Sequence, residues 1–258
     1  MGLRAWLGLK RRRGPTRLPK TRIFFLHMPK TGGTSLSAAL TQAYPFWAIM
    51  PDVAIMGRNE GKYPPLDVVI SAMKFRPERV HYIRGHYHVS CASLLGPEAK
   101  SLTVLRDPVE RMISYYRHWC DQLGLTPQTF EERFRTTGFN LKYDNEMCRR
   151  LVGALDCNTA EGANDRLVAM LRSEISDPVK FLDEARRALD RFHFVGTLDT
   201  LPNLARKLSE ELQHDLKLGH LNKSVAYSGI DEIVLETVQR DNKLDMALYE
   251  HAKALASG

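Results

Sequence analysis

Short apolar runs alternate with longer amphipathic stretches along this chain. Runs at residues 22–27, 80–84, 101–105 and 192–196 predict strands that are buried on both faces. Helical spacing follows Thr34, where we expect a Thr or Ser cap, and it recurs at 67–73, 109–121, 201–213 and 231–256. Prolines interrupt residues 45–79, which we predict to be loops around the short helix at 67–73. The alternation predicts an α/β fold of three layers, with a central parallel sheet flanked by helices.

Three predicted strands end in polar or glycine-rich loops, at residues 28–35, 84–88 and 106–108. The carboxyl ends of parallel strands share one edge of a sheet, and ligands bind at that edge. We therefore expect the three loops to meet in one site.

Composition indicates a soluble globular protein, because 43% of the 258 residues are hydrophobic and 26% are charged. The net charge of +7 comes from the beginning of the chain, where residues 1–22 carry eight Lys or Arg and no acid. The rest has a net charge of 29 − 30 = −1, so we expect no nucleic-acid binding by the folded domain. We predict a solvated basic arm at 1–21, with weak contact to a membrane surface as the alternative, and a single domain at 22–258.

No secretory signal or transmembrane segment is recognisable in the sequence, and the four cysteines form no C-x-x-C pair. These features predict reduced thiols and a cytoplasmic protein. The His, Cys, Asp and Glu spacing predicts no metal site.

The loop Pro-Lys-Thr-Gly-Gly-Thr-Ser at 29–35 has the features of an oxyanion site. Paired glycines allow close approach, a lysine supplies charge, and N–H groups at a helix start bind anions. The loop is P-loop-like but departs from G-x-x-x-x-G-K-[ST], because its lysine precedes the glycines. The predicted binding residues are Lys30, Thr31, Gly32, Gly33, Thr34 and Ser35.

Two segments carry a family resemblance. His-Met-Pro-Lys-Thr-Gly-Gly-Thr-Ser-Leu at 27–36 resembles the 5′-phosphosulfate loop of sulfotransferases that use 3′-phosphoadenosine 5′-phosphosulfate (PAPS). Leu-Arg-Asp-Pro-Val-Glu-Arg-Met-Ile-Ser-Tyr-Tyr at 105–116 resembles their 3′-phosphate motif. The resemblance implies that Arg106 and Ser114 bind the 3′-phosphate, that PAPS is the co-substrate and that no metal is required. A planar guanidinium suits such a phosphate.

Within that family, the chain is most similar to the carbohydrate (heparan sulfate) 2-O-sulfotransferase-like branch. Residues 144–153 resemble its N-x-M-x-R-x-L-x-G segment, and 220–224 resemble its H-L-x-K-[ST] segment near the nucleotide. The resemblance implies that Lys223 and Ser224 contact the nucleotide. It also implies a hydroxyl acceptor, expected to be a carbohydrate, glycolipid or other glycoconjugate.

Sulfuryl transfer resembles phosphoryl transfer through a loose transition state, in which positioning and charge stabilisation dominate. We predict that Lys30 stabilises charge on the leaving phosphate. His86 aligns with the catalytic His of the 2-O branch, and histidine is the commonest general base at neutral pH. We therefore predict His86 as the base, with His88 in a supporting role if the strand pattern continues.

Two alternatives remain at this stage. A P-loop kinase or NTPase would share the sheet and the glycine loop but would need magnesium and a triphosphate. A non-catalytic module could bind an acidic polymer or a membrane through residues 1–22.

Overall fold

Five strands form a parallel sheet at the centre of the structure, a computed structural model that describes residues 18–59, 62–74, 77–124, 144–152, 169–171, 173–219 and 232–257. The strands are β1 (Ile23–Leu26), β2 (Ile49–Met50), β3 (Tyr82–Gly85), β4 (Lys100–Leu105) and β5 (Phe194–Thr197). The helices described are α1 (Gly33–Ala43), α2 (Val53–Arg58), α3 (Leu66–Met73), α4 (Pro108–Leu123), α5 (Glu146–Leu151), α6 (Pro178–Leu189), α7 (Leu201–Leu212), α8 (Glu232–Asp241) and α9 (Lys243–Ser257).

β1 lies in the middle of the sheet, whose strand order is β2-β3-β1-β4-β5. Leu26 of β1 pairs with Gly85 of β3 on one side and with Thr103 of β4 on the other. All the pairings are parallel, so β1, β3 and β4 end at the same edge. The loops predicted to form the site begin at this edge.

Side chains on the two faces of the sheet enter two separate hydrophobic cores, because they alternate along each strand. Phe24 and Leu26 of β1 enter one core, which α3, α5, α6 and α9 cover. Ile23 and Phe25 enter the other, which α1 and α7 cover. The predicted P-loop-like, three-layer α/β fold is therefore confirmed.

The segment at 45–79 contains more structure than predicted. α3 matches the expected short helix, but the edge strand β2 and the helix α2 were missed. β2 has only two residues, which pair with Tyr82 and Ile83, and so it carries no readable periodicity. Asp52 caps α2 by accepting the N–H of Ile55 at 2.7 Å.

The prediction of one helix at 231–256 is wrong, because the chain forms α8 and α9 with a break at Asn242. The buried side chain of Asn145 accepts the N–H groups of Leu244 and Asp245 at 3.0 and 3.1 Å. In return, Asn242 Oδ1 accepts the N–H of Asn145 at 3.1 Å. These partners are 97 to 100 residues apart in sequence, so local periodicity does not reveal the break.

Residues 1–17 of the predicted basic arm lie outside the described residues, whereas its last residues pack against the sheet. The hydroxyl of Thr21 donates to Glu211 at 2.7 Å, and its carbonyl accepts from the Tyr44 hydroxyl at 2.9 Å. The boundary between arm and domain at residue 21 stays a prediction.

No helix in the described part of the chain is both long enough and apolar enough to span a bilayer.

Candidate functional site

The candidate site lies where β1, β3 and β4 end. The N–H of His27, which follows β1, donates to the carbonyl of Gly85 at 3.0 Å. Arg106, which follows β4, donates from Nη1 to the carbonyl of Lys30 at 3.4 Å. These contacts join the three predicted loops at one edge of the sheet.

The loop between β1 and α1 turns through two left-handed residues, Lys30 with φ 65° and Gly32 with φ 83°. Buried Thr31 stabilises the turn, because its hydroxyl donates to the Met28 carbonyl at 3.0 Å. Lys30 and Ser35 are half-buried, and Thr34 is exposed.

The helix α1 begins without a side-chain cap, so the sequence-based expectation of a Thr or Ser cap is wrong. Its N-cap is Gly32, which has no side chain to accept an N–H group, and its first turn contains no acid. The helices α2 and α6, by contrast, are capped by Asp52 and Asp177. The first-turn N–H groups of a helix have no partner within that helix, and they carry a partial positive charge. The start of α1 is therefore suited to an anion.

Close packing explains both glycines of the loop. A Cβ at Gly33 would lie 2.4 Å from Cδ2 and 2.7 Å from Nε2 of His27. A Cβ at Gly32 would lie 2.4 Å from a methyl group of Leu198, and its φ also disfavours a side chain. The ring of His27 thus lies directly against the first turn of α1.

Arg106 carries the charge on the β4 side of the site. Its Nε and Nη2 atoms lie 3.1 Å from Oε2 of Glu110. Asp107 is engaged elsewhere, because its Oδ1 accepts the N–H of Glu110 at 2.9 Å and so caps α4. Ser114 is half-buried one turn beyond Glu110, and residues four apart share a helix face. Lys223 and Ser224 lie outside the described residues.

His86 lies at the end of β3 with its ring orientation fixed. Nδ1 lies 2.5 Å from the carbonyl oxygen of His27. A carbonyl only accepts hydrogen bonds, so Nδ1 carries the proton and the lone pair of the neutral ring is on Nε2. Burial and the charge of Arg150 lower the pKa of His86 to about 4. The imidazole is therefore neutral at pH 7.

Two aromatic neighbours of His86 were missed at the level of sequence. The His27 and Tyr63 rings lie 5.0 and 4.8 Å from the His86 ring, centroid to centroid. His27 Nδ1 and the Tyr63 hydroxyl are 2.9 Å apart, and burial holds the pKa of His27 well below its ordinary value. The position of His27 at the end of β1 was an available signal. Tyr63 lies in a segment without periodicity and offered none.

His88 does not continue the strand pattern, because β3 ends at Gly85. Its buried ring caps the 3₁₀ turn Val89–Leu95, with Nδ1 2.9 Å from the Ser90 hydroxyl and accepting the Ser90 N–H at 3.3 Å. The described contacts of Nδ1 therefore stabilise the backbone after β3.

Behind His86 lies a buried ionic cluster, which was also missed. Glu146 binds Arg150 through one carboxylate oxygen, at 3.0 and 2.6 Å, and Arg111 through the other, at 2.5 Å. Arg111 Nη2 is 3.8 Å from Oδ2 of Asp245. Burial would raise the pKa of Glu146, but the charges of Arg150 and Arg111 hold it below its ordinary value.

No family model and no curated protein sequence matches this chain. The crystal structure of a sulfotransferase from Alicyclobacillus acidocaldarius is similar over 93% of this chain and 97% of that chain, with 18% sequence identity and a TM-score of 0.46. A likeness at this level assigns no activity. Within the described residues, no group of three or more His, Cys, Asp and Glu side chains is arranged to hold a metal ion.

Proposed function

We propose that this protein is a sulfotransferase that moves the sulfuryl group of PAPS to a hydroxyl group of an acceptor. The contact between the Arg106 guanidinium and the Lys30 carbonyl, at 3.4 Å, carries the proposal. It joins the two segments that resemble the 5′-phosphosulfate loop and the 3′-phosphate motif, so that one nucleotide can reach both.

The residues at the start of α1 fit the 5′ end of such a nucleotide. The N-cap Gly32 has no side chain to cap the helix, and Lys30 adds a charge at the turn. PAPS, when bound, supplies the sulfuryl group and a phosphate leaving group. Lys30 and the first-turn N–H groups would stabilise the negative charge that develops on that phosphate.

His86 would act as the general base. Its Nε2 lone pair takes the proton of the acceptor hydroxyl as the oxygen–sulfur bond forms and the bond from sulfur to the phosphate oxygen breaks. Because the pKa of His86 is lowered to about 4, nearly all of the protein carries this lone pair at neutral pH.

The acceptor class follows from the resemblance to the 2-O branch, and we propose a carbohydrate or another glycoconjugate. A cytoplasmic location, a solvated arm at residues 1–21, and nucleotide contacts of Lys223 and Ser224 remain parts of the same proposal, with weak membrane contact of the arm as the alternative.

Mass spectrometry of acceptor mixtures incubated with PAPS tests the activity, because the mass of a sulfated acceptor increases by that of the transferred sulfuryl group. We expect sulfation with the native chain and a loss of orders of magnitude in turnover with His86→Ala. His81→Ala is the matched control, because His81 precedes the same strand at the opposite edge of the sheet. Near-native turnover with His86→Ala would remove His86 from the chemistry.

The same preparation separates the alternatives. Magnesium-dependent turnover of ATP without sulfate transfer would replace the proposal with a kinase or NTPase. Binding to acidic polymers or vesicles through residues 1–22, with neither reaction detectable, would indicate a non-catalytic module.

A further inference from the structure

Arg150 contacts the backbone of His86 directly. Its Nη1 donates to the His86 carbonyl at 3.0 Å, while Nε and Nη2 donate to Oε1 of Glu146 at 3.0 and 2.6 Å. Arg150 and Glu146 are only 6% and 2% exposed. The planar guanidinium therefore spans from α5 to the loop after β3; its contact with Glu146 is buried, and its contact with the His86 carbonyl is partly buried.

The orientation of the Arg150 guanidinium is fixed by the residues that hold its partner Glu146. The second oxygen of Glu146 is bound by Arg111, whose Nη2 lies 3.8 Å from Asp245. Asp245 accepts the N–H groups of Met147 and Cys148 at 3.0 and 2.8 Å. The cluster thus links α4, α5 and α9 and returns to α5, so Arg150 has little freedom to move without unpairing buried groups.

The charged and titratable groups that affect His86 come from three directions. α5 contributes Arg150, which lowers the pKa of His86, and Glu146, which raises it. The loop after β1 contributes His27, and the segment before α3 contributes Tyr63. Burial keeps His27 neutral and raises the pKa of Tyr63, so neither ring brings a charge at neutral pH.

We propose that Arg150 is the positioning residue of His86: its guanidinium holds the backbone carbonyl of the residue that carries the imidazole, and its buried charge disfavours a proton on the ring. The catalytic consequence rests on the proposed function. The positioning itself does not, because it follows from contacts among the protein's own residues.

An NMR titration of the full chain, labelled with ¹³C at histidine Cε1, tests the charge effect without any reaction. The His86 signal is assigned by its loss in His86→Asn. In Arg150→Met we expect the pKa of His86 to rise from about 4 toward its ordinary value, because the nearest cation is removed. The matched control is Arg149→Met, which should leave the pKa of His86 unchanged.

Arg149 is a suitable control because it is also buried and also engaged, but with other groups. It binds Asp144 at 3.0 Å and donates to the carbonyls of Met170 and Ser173 at 3.0 and 2.7 Å. An unchanged His86 pKa in Arg150→Met, or an equal change in Arg149→Met, would overturn the proposal.

Arg150→Lys separates position from charge and provides a second test if Arg150→Met does not fold. The lysine keeps the charge but cannot bridge the His86 carbonyl and Glu146 with a planar fork. We expect the pKa of His86 to stay low, kcat for sulfuryl transfer to fall about tenfold, and the KM for PAPS to stay within twofold. A native kcat would rule out the positioning role.

The pH profile connects the two tests. The native rate should stay constant as pH falls until it declines near pH 4, where His86 gains a proton. In Arg150→Met this decline should begin at higher pH, so that the ratio of rates at pH 5.5 and pH 8 drops. If the native chain transfers no sulfate, the proposed function fails, while the NMR titration still decides the role of Arg150.

Discussion

The ion pair of Arg106 at the edge of the sheet and the ion pairs in the cluster behind His86 differ in how deeply they are buried. At the edge of the sheet, Arg106 pairs with Glu110, and these side chains are 11% and 29% exposed. In the cluster behind His86, Arg111 pairs with Glu146, and these side chains are 0% and 3% exposed. Arg106 and Glu110 are four residues apart in sequence, whereas Arg111 and Glu146 are 35 residues apart.

Burial decides what each pair can do. A solvent-exposed ion pair contributes about 0–1 kcal/mol. The pair of Arg106 and Glu110 is only partly buried, so we expect its free energy to lie closer to this value than that of a fully buried pair. Removing one partner of a buried pair costs about 3–5 kcal/mol, so Glu146 cannot be exchanged. We therefore expect Arg106 to be the arginine that can exchange its partner for a phosphate, whereas the buried arginines maintain the structure.

Arg111→Ala should have the largest effect on stability. It leaves the carboxylates of Glu146 and Asp245 short of a buried cation, and we expect the free energy of unfolding to fall by about 3–5 kcal/mol. Urea denaturation measures this, with Arg206→Ala as the control because Arg206 and Glu210 are both exposed. Equal midpoints for the two variants would show that the buried cluster does not support the fold.

Lys30→Ala should lower turnover by about 10²–10³-fold, because a charge aimed at the leaving phosphate is lost. Steady-state sulfation measures kcat, and circular dichroism confirms that the variant is folded. The exposed Lys180, on α6, supplies the control Lys180→Ala. A rise in KM with an unchanged kcat would reduce Lys30 to a ground-state contact.

Arg106→Ala should weaken binding of 3′-phosphoadenosine 5′-phosphate by about tenfold to a hundredfold, the range expected when hydrogen bonds to a charged group are lost. Calorimetry gives the dissociation constant directly. We expect adenosine 5′-phosphate, which lacks the 3′-phosphate, to bind the native chain and the variant equally. An unchanged constant for the bisphosphate would contradict the assignment.

Glu110→Gln should have the smallest effect, in the opposite direction. Removing the carboxylate that competes for Arg106 should tighten binding of the same nucleotide by about two- to fivefold. Weaker binding would mean that Glu110 is needed to orient Arg106. The Arg106–Glu110 pair would then be as structural as the buried pair of Arg111 and Glu146.

Sequence patterns were sufficient for four of the five strands and for the meeting of the loops. The run Ile23–Leu26 is fully buried as predicted, and parallel strands place their carboxyl ends together by geometry alone. The glycine loop and Arg106 follow their strands directly, so their proximity could be predicted without coordinates.

Patterns were insufficient where long-range polar contacts decide the structure. The break between α8 and α9 depends on Asn145, which is about a hundred residues away. The bond from Arg150 to His86 ends on a backbone carbonyl, and such an acceptor exists at every residue. Tyr63 reaches His27 from an irregular segment. None of these contacts has a periodic signature.

The dependence of α5 on Asp245 also has a consequence for biosynthesis. The glycine loop and the three strands around it are synthesised long before residue 245. The N–H groups of Met147 and Cys148 cannot form their hydrogen bonds until the carboxylate of Asp245 has been synthesised. Domains larger than about 100–150 residues commonly fold through partly formed intermediates. The glycine loop can therefore form during translation, whereas the cluster that supports His86 is completed only when α9 has been synthesised.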